Sequence, residues 1–198
     1  MVPLYIRFLK AQPLNKWDQK RRIIRRFDLT AQMYDERYGE EQEAKYRVAM
    51  EGLNVSNSSL ILDVGCGTGL FFPFAAEKAK VVVGLDISSK LLAKAKERAR
   101  NLGNVHLVRG DADHLPFKDH SFSVVSAFTL LQNMPKPLIT LKEIKRTAKL
   151  NGFIVVTGLK KAISLTRFTQ LLKEAGLPLT SIRDDDFLKC YVASVSVS

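Results

Sequence analysis

The stretch Ser59–Leu70, SLILDVGCGTGL, joins a short apolar run to a glycine-rich turn. The run is interrupted only by Asp63 near its end, and such runs are typical of parallel strands that are buried on both faces. Gly65, Gly67 and Gly69 then follow at two-residue intervals, and without a Cβ they can adopt positive φ and approach a ligand closely. Because open α/β sheets bind ligands at the carboxyl ends of their strands, we expect the Asp63 carboxylate to face a crevice.

The glycine spacing differs from the Gly-x-Gly-x-x-Gly fingerprint of dinucleotide-binding folds. The segment from Leu62 to Gly69 instead resembles the first motif of the class I methyltransferases that depend on S-adenosylmethionine (SAM). A second strand, Val81 to Leu85, is closed by Asp86. A carboxylate in that place can accept hydrogen bonds from both hydroxyls of a ribose, so the resemblance implies this role for Asp86.

A third predicted strand, Val105 to Val108, leads into a longer match to the same family. The string Asp-Ala-x-x-Leu-Pro-Phe-x-Asp-x-Ser-Phe runs from Asp111 to Phe122, and the family places the first acidic residue on the adenine amino group. Ser123 departs from the aspartate that is usual there, and we interpret it as a turn residue. The residues that the resemblance assigns to cofactor binding are Tyr34, Asp63, Gly65, Cys66, Gly67, Gly69, Asp86, Ile87, Asp111 and Ala112.

The resemblance runs from about Ala31 to the C-terminus and implies an α/β fold. We expect a seven-stranded, mostly parallel, doubly wound sheet of Rossmann-like type, in which the last strand is antiparallel. Residues 1–53 are predicted to form a basic helical extension and lid, with a helix break at Gly39. Residues 54–198 are predicted to form the SAM-binding domain as one compact unit.

Charge is concentrated near the N-terminus. The chain has 31 basic and 20 acidic residues, and eight basic residues against two acidic ones lie between Met1 and Asp28. A helix from about Asn15 to Phe27 would turn Trp17, Ile23, Ile24 and Phe27 inward and leave its basic residues outside. The basic stretch Lys16–Arg26 suits the phosphates of an RNA, and the alternative is a solvated helix face.

Two further segments are candidates for contact with the acceptor. By resemblance to small methyltransferases, Tyr34 or Tyr38 would contact the methionine end of SAM or the substrate, although aromatic residues at helical spacing are more often core. Gln132 and Asn133 follow the fourth predicted strand and are candidates for orienting the acceptor by hydrogen bonds. The histidines are weaker candidates: we interpret His106 as structural and leave a base role open for His114 and His120.

The composition argues against a disulfide-rich, a metal-binding and a membrane-spanning protein. Two cysteines make neither a disulfide framework nor a metal site, and no apolar run reaches about 18 residues, so we expect a cytoplasmic protein without a membrane span. The first hypothesis is a SAM-dependent methyltransferase acting on RNA, in particular tRNA. Alternatives are the same chemistry on a small metabolite or a protein side chain, and a non-catalytic scaffold of the same fold. A small activating protein is a further candidate partner.

Overall fold

The computed structural model describes residues 15–51, 53 and 55–197. Arg7 and Lys10, two of the basic residues counted above, lie outside the described residues. The strands are β1 (Leu60–Val64), β2 (Val81–Asp86), β3 (Val105–Arg109), β4 (Phe122–Ala127), β5 (Ala148–Leu159), β6 (Ser181–Arg183) and β7 (Cys190–Ser196). The α-helices are α1 (Lys16–Thr30), α2 (Tyr34–Glu51), α3 (Phe72–Ala76), α4 (Ser89–Ala99), α5 (Pro137–Thr147) and α6 (Leu165–Glu174), and short 3-10 helices span Ala31–Met33 and Leu131–Asn133.

The strands form a single seven-stranded sheet in the order β3-β2-β1-β4-β5-β7-β6. The first five strands pair in parallel, whereas β7 runs antiparallel to both β5 and β6. The expected fold class is therefore confirmed, including the antiparallel last strand. Strand order reverses between β1 and β4, which is where open α/β sheets leave a crevice for a ligand.

Helices cover both faces of the sheet, which explains why the sequence of β1 is apolar apart from Asp63. Adjacent residues of a strand point to opposite faces. Leu62 belongs to a core cluster with residues of α5 and α6, and Ile61 belongs to a second cluster with Tyr46 of α2 and Phe72 of α3. Both β1 residues are completely buried. The run predicted as a doubly covered strand therefore has that position.

The turn after β1 depends on glycine for its shape. The backbone amides of Gly65 and Cys66 both donate to the carbonyl oxygen of Leu85, at 2.7 and 3.0 Å, which ties the turn to β2. Gly69 has φ +76°, and a Cβ there would lie 2.4 Å from the ring of Phe72. Any larger residue would displace the ring that packs under the turn.

Two predictions about the helices are wrong. Helix α2 continues through Gly39, where a break was predicted, because burial of Tyr46 and Ala49 further along the helix outweighs the cost of one glycine, about 1 kcal/mol. On α1, Trp17 is 49% exposed instead of inward, and Lys20 is buried in its place.

Strand β5 begins at Ala148, directly after α5 ends at Thr147. Among the residues that the structure describes, no helix is long and apolar enough to cross a bilayer.

Candidate functional site

A cavity lies at the carboxyl ends of β1, β2, β3 and β4, beneath α1. Its empty space, including open solvent at its mouth, is about 730 Å³. Its walls are the loops that follow these four strands, and its roof is α1. The lining residues are Lys20, Ile23, Ile24, Phe27, Tyr34, Gly65, Gly67, Leu85, Asp86, Ile87, Ser88, Leu91, Gly110, Asp111, Ala112, Phe128, Thr129, Leu130, Asn133 and Met134.

Asp86 is held in a fixed orientation at the end of β2. One carboxylate oxygen accepts from the backbone amide of Gly67 at 2.9 Å, and the other accepts from the amide of Ser88 at 2.8 Å. Burial raises the pKa of Asp86, and these backbone hydrogen bonds oppose the rise. The side chain is 8% exposed, and it lines the cavity. It therefore presents a preorganised hydrogen-bond acceptor to a ligand.

Gly67 keeps space free beside this carboxylate. It has φ +57°, and no atom lies within 4 Å of the position that a Cβ would take there. Since Gly67 also lines the cavity, its open side offers backbone contact to a bound molecule.

Asp63 does not face the crevice as expected. It is 2% exposed, lies between β2 and β4 in the sheet, and is not part of the cavity lining. Its Oδ1 accepts from the hydroxyl of Ser126 at 2.8 Å. Burial raises the pKa of Asp63 to about 7, with a smaller contribution from the charge of Asp86. The physical reason is that the carboxyl group is enclosed within the sheet, where its hydrogen-bond partner is a side chain of β4.

The other sequence-predicted residues divide between the cavity wall and the layer behind it. Three more predicted residues do not line the cavity: Cys66, Gly69 and Gln132. Six line it together with Gly67 and Asp86, namely Tyr34, Gly65, Ile87, Asp111, Ala112 and Asn133. Their roles toward a cofactor stay predictions.

The sequence did not predict that Lys20 would reach the acidic residues after β3. Its Nζ lies 2.6 and 2.7 Å from the two carboxylate oxygens of Asp111 and 2.6 Å from Oδ2 of Asp113. The side chain of Lys20 is only 10% exposed. Nothing in its spacing distinguishes it from the other basic residues of α1, so this contact could not be predicted from the sequence.

Two further contacts fix α1 as a roof over the cavity. The hydroxyl of Ser88, which also caps α4, donates to Asp28. Arg26 donates to Oδ1 of Asn133 at 2.8 Å, after β4. Ile23, Ile24 and Phe27 line the cavity between these points. The inward face of α1 was predicted, except for Trp17, but its position over this cavity was not.

Tyr34 lies at the start of α2 and lines the cavity, whereas Tyr38 is 40% exposed and packs against it at a ring distance of 5.0 Å. Burial raises the pKa of Tyr34, with further contributions from the charge of Asp86 and from Tyr38. Its hydroxyl oxygen accepts from Nε2 of Gln42 at 3.3 Å. The phenol therefore stays protonated and available as a donor.

Histidines take no part in the cavity lining. His106 and His114 are exposed, and Nδ1 of His120 lies 3.0 Å from the carbonyl oxygen of Ala148. In the described part of the chain, no group of three or more His, Cys, Asp and Glu side chains could hold a metal ion. The cavity chemistry described here consists of fixed hydrogen-bond acceptors beside an apolar roof.

The known proteins that this chain resembles are methyltransferases. A family model described as a methyltransferase domain matches residues 62–156. The chain is 33% identical over 144 residues to malonyl-[acyl-carrier protein] O-methyltransferase from Marinomonas sp. (strain MWYL1), covering 72% of this chain and 53% of that protein. It is 39% identical over 120 residues to demethylmenaquinone methyltransferase from Staphylococcus haemolyticus (strain JCSC1435), covering 59% and 50%. The chain thus spans about half the length of these relatives.

Solved structures share the fold at lower sequence identity. A putative methyltransferase of Haloferax volcanii, solved in complex with the Trm112 methyltransferase activator, has a TM-score of 0.72 and 17% identity, over 87% of this chain and 98% of that one. A SAM-dependent methyltransferase from Aquifex aeolicus has a TM-score of 0.68 and 17% identity, over 77% and 89%.

Proposed function

We propose that this chain, which belongs to the class I, Rossmann-like family of SAM-dependent methyltransferases, transfers a methyl group from SAM to an acceptor small enough to enter the roofed cavity. The observation that carries the proposal is the combination of the fixed Asp86 carboxylate, the open glycine turn and the apolar roof in one cavity. The Asp86 carboxylate and the glycine turn are suited to bind SAM, and the roof limits the size of the acceptor that can enter.

The residues at the cavity fit SAM with one rearrangement. The vicinal hydroxyls of a ribose can donate to Asp86, and the space beside Gly67 accommodates a ligand that contacts backbone. Asp111, which the family resemblance assigns to the adenine amino group, already binds Lys20 through both oxygens. The amino group can reach Asp111 only if Lys20 shares or releases that carboxylate.

Catalysis would then rest on positioning. When bound, SAM supplies a methyl group that is already activated by its sulfonium. The residues of this chain have to hold the acceptor in line and exclude water, which can contribute on the order of 7–11 kcal/mol. Ile23, Ile24 and Phe27 supply an apolar roof for that purpose, and no histidine is needed as a base.

A small acceptor is favoured by the closure of the cavity. Helix α1 is held down at Lys20, Arg26 and Asp28, so its inner face leaves room for a compact molecule or a single protruding group. The two relatives named above support this choice by analogy, because neither name refers to a nucleic acid.

Transfer of labelled methyl groups tests the proposal. The chain and SAM carrying a labelled methyl group are incubated separately with small-molecule, protein and tRNA fractions of a cell extract, and Asp86→Asn serves as the control. We expect label in the small-molecule fraction that is lost in the control. Label confined to tRNA or protein would overturn the small acceptor, and no label in any fraction would contradict methyl transfer itself.

RNA is the second candidate acceptor, and the outer face of α1 favours it. Arg21, Arg22 and Arg25 are exposed on this face, and the chain carries a net charge of +11. Such a face attracts phosphates, with an affinity that falls as salt rises. In this arrangement one nucleotide would enter the cavity while α1 holds the backbone.

Charge reversal on α1 distinguishes a specific RNA-binding role of this helix from an effect of the net charge of the protein. The triple variant Arg21→Glu, Arg22→Glu and Arg25→Glu should weaken tRNA binding at least tenfold in a filter-binding assay and flatten its salt dependence. The matched control, which changes the net charge equally elsewhere, is Lys161→Glu, Lys173→Glu and Lys189→Glu. Equal losses in both triple variants would contradict a specific role for α1.

A small activating protein is a further proposed partner. The support is the complex of the Haloferax volcanii neighbour with a methyltransferase activator. Co-expression with the Haloferax volcanii activator tests the proposal: co-purification of the two proteins is expected, and recovery of this chain without the activator would contradict it.

A further inference from the structure

The outer face of α1 carries apolar and basic side chains in one row. The members of the row are spaced four residues apart, so successive side chains are neighbours on the helix surface. We call this set the outer row, and it consists of Trp17, Arg21, Arg25 and Leu29. All four side chains are exposed, whereas the opposite side of α1 lines the cavity. The outer row is therefore on the surface that a partner of this helix would meet.

The two ends of the outer row expose apolar side chains. Leu29 is 76% exposed and Trp17 is 49% exposed. Met33, in the 3-10 helix that follows α1, is also 49% exposed. A single exposed apolar residue is ordinary, but several along one element mark contact with another protein or with lipid.

Cations without an ion pair lie between and beside these apolar ends. Within the part of the chain that the structure describes, neither Arg22 nor Arg25 forms an ion pair, and both are exposed. Lys90, near the start of α4, is exposed and has no ion pair with a described residue either. All three line an open groove between α1 and α4. This surface therefore holds positive charge that is not paired within the described chain.

The two carboxylates that line the same groove are already engaged. Asp18 forms an ion pair with Arg21, the one arginine of the outer row that is paired. Asp28 accepts a hydrogen bond from the hydroxyl of Ser88, which ties α1 to α4. Neither carboxylate is paired with one of the remaining cations, so the groove favours an anionic partner.

We propose that the outer row docks on the surface of an anionic phospholipid bilayer. Helices that lie in a membrane interface combine Trp and Leu with Lys and Arg in this way. The aliphatic stems of Arg21 and Arg25 extend the apolar strip between Trp17 and Leu29, while the guanidinium groups reach lipid phosphates. The proposal does not depend on methyl transfer, because neither the docking nor its test involves SAM.

A bilayer matches more of this surface than RNA does. The phosphates of RNA would use the same arginines, but they would leave the side chains of Leu29 and Met33 in water. A bilayer surface takes up both kinds of side chain, because its phosphates lie directly beside its acyl chains. Since α1 is also the roof of the cavity, docking would hold that roof against the phase in which apolar molecules dissolve.

The single tryptophan of the chain gives a direct readout of docking. The full chain is mixed with vesicles of phosphatidylcholine alone or of phosphatidylcholine with phosphatidylglycerol, and the fluorescence of Trp17 is followed. With the anionic vesicles only, we expect a shift to shorter wavelength and quenching by brominated lipid, and both should be lost at high salt. No response to the anionic vesicles, or an equal response to both kinds of vesicle, would overturn the proposal.

A matched pair of charge variants locates the contact. Arg22→Gln combined with Arg25→Gln should weaken binding to the anionic vesicles about tenfold. Lys161→Gln combined with Lys173→Gln removes the same charge from exposed positions elsewhere and should bind as the wild type does. Equal losses in the two double variants, or sedimentation with vesicles that leaves Trp17 fluorescence unchanged, would place the contact away from α1 and overturn the proposal.

The apolar contribution is tested separately from the charge. Leu29→Ser should weaken vesicle binding, because it removes an exposed apolar side chain of the outer row. The control is Leu150→Ser, which is 61% exposed at the opposite end of the sheet from the cavity and should bind as the wild type does. Transfer RNA is titrated in parallel, and binding of tRNA without any response to vesicles would assign the cations to RNA and overturn docking on lipid.

Discussion

Asp63 lies one residue before the end of β1 and Asp86 ends β2, and the sheet gives the two carboxylates different environments. The Asp86 carboxylate accepts hydrogen bonds from two backbone amides. Burial raises the pKa of Asp86, and these hydrogen bonds oppose the rise. Asp63 receives one hydroxyl, from Ser126, and burial raises its pKa to about 7. The sequence predicts both carboxylates at the crevice, but it does not show that the first is enclosed beside Ser126 while the second lines the cavity. That difference depends on the side chains around each carboxylate, which a single sequence does not show.

The raised pKa of Asp63 predicts a pH-dependent stability. The unfolded chain loses this proton near pH 4, and the folded chain keeps it until about pH 7. The free energy of unfolding should therefore fall as pH rises through this window, by up to about 4 kcal/mol, and level off above it. Asp63→Asn, which is neutral at every pH, should lack this decrease and be more stable than the wild type at pH 8.

Urea unfolding at pH 5 and pH 8 measures the effect. The control is Glu77→Gln, which changes an exposed carboxylate and should keep the wild-type slope. Parallel pH dependence of the wild type and Asp63→Asn would mean that Asp63 is ionised in the folded protein.

Gly69 gives a second prediction at the residue scale. Gly69→Ala would place a Cβ 2.4 Å from Phe72 at a φ of +76°, so we expect a loss of about 2–4 kcal/mol in the free energy of unfolding. Gly103→Ala, where no atom lies within 4 Å of the added Cβ, should change stability by less than about 0.5 kcal/mol. Equal effects in thermal or urea unfolding would contradict the packing account of the turn.

Among the elements, α1 shows the limits of sequence reasoning most clearly. The sequence predicted the helix itself and the inward position of Ile23, Ile24 and Phe27. It did not predict which part of the protein α1 packs against, because a helix pattern specifies which face is buried but not what covers that face. The burial of Lys20 follows from the acidic residues that α1 meets after β3, whereas Trp17 lies exposed.

Lys20 predicts how α1 affects cofactor binding. Its Nζ occupies both oxygens of Asp111, so Lys20→Met should free an acceptor for the adenine amino group and tighten binding of S-adenosylhomocysteine about three- to tenfold. Isothermal titration calorimetry measures the change. Lys173→Met, on the exposed face of α6, is the control and should bind as the wild type does. Weaker binding by Lys20→Met would mean that the lysine supports the cofactor site.

In the whole molecule, the sequence predicted the parallel sheet better than the position of the roof helix α1. The strand runs, the glycine turn and the acidic strand ends are local patterns that carry the family resemblance, and that resemblance predicted the seven-stranded sheet correctly. The cavity is assembled from loops after four strands and from a helix far away in sequence, so its lining was predicted only in part. The net charge of +11 lies partly on the outer face of that same helix, which gives α1 an apolar inner and a basic outer surface. The division into residues 1–53 and 54–198 stays a prediction.

The most direct test of a SAM site at Asp86 is calorimetric titration of S-adenosylhomocysteine into the wild type and Asp86→Asn, with thermal unfolding of both as a check on folding. An asparagine amide would face one of the two backbone N–H groups that Asp86 now accepts, and it would offer the ribose a weaker acceptor. We predict one site per chain in the wild type and at least tenfold weaker binding in Asp86→Asn. No binding by the folded wild type, or equal affinity of the two proteins, would contradict the account.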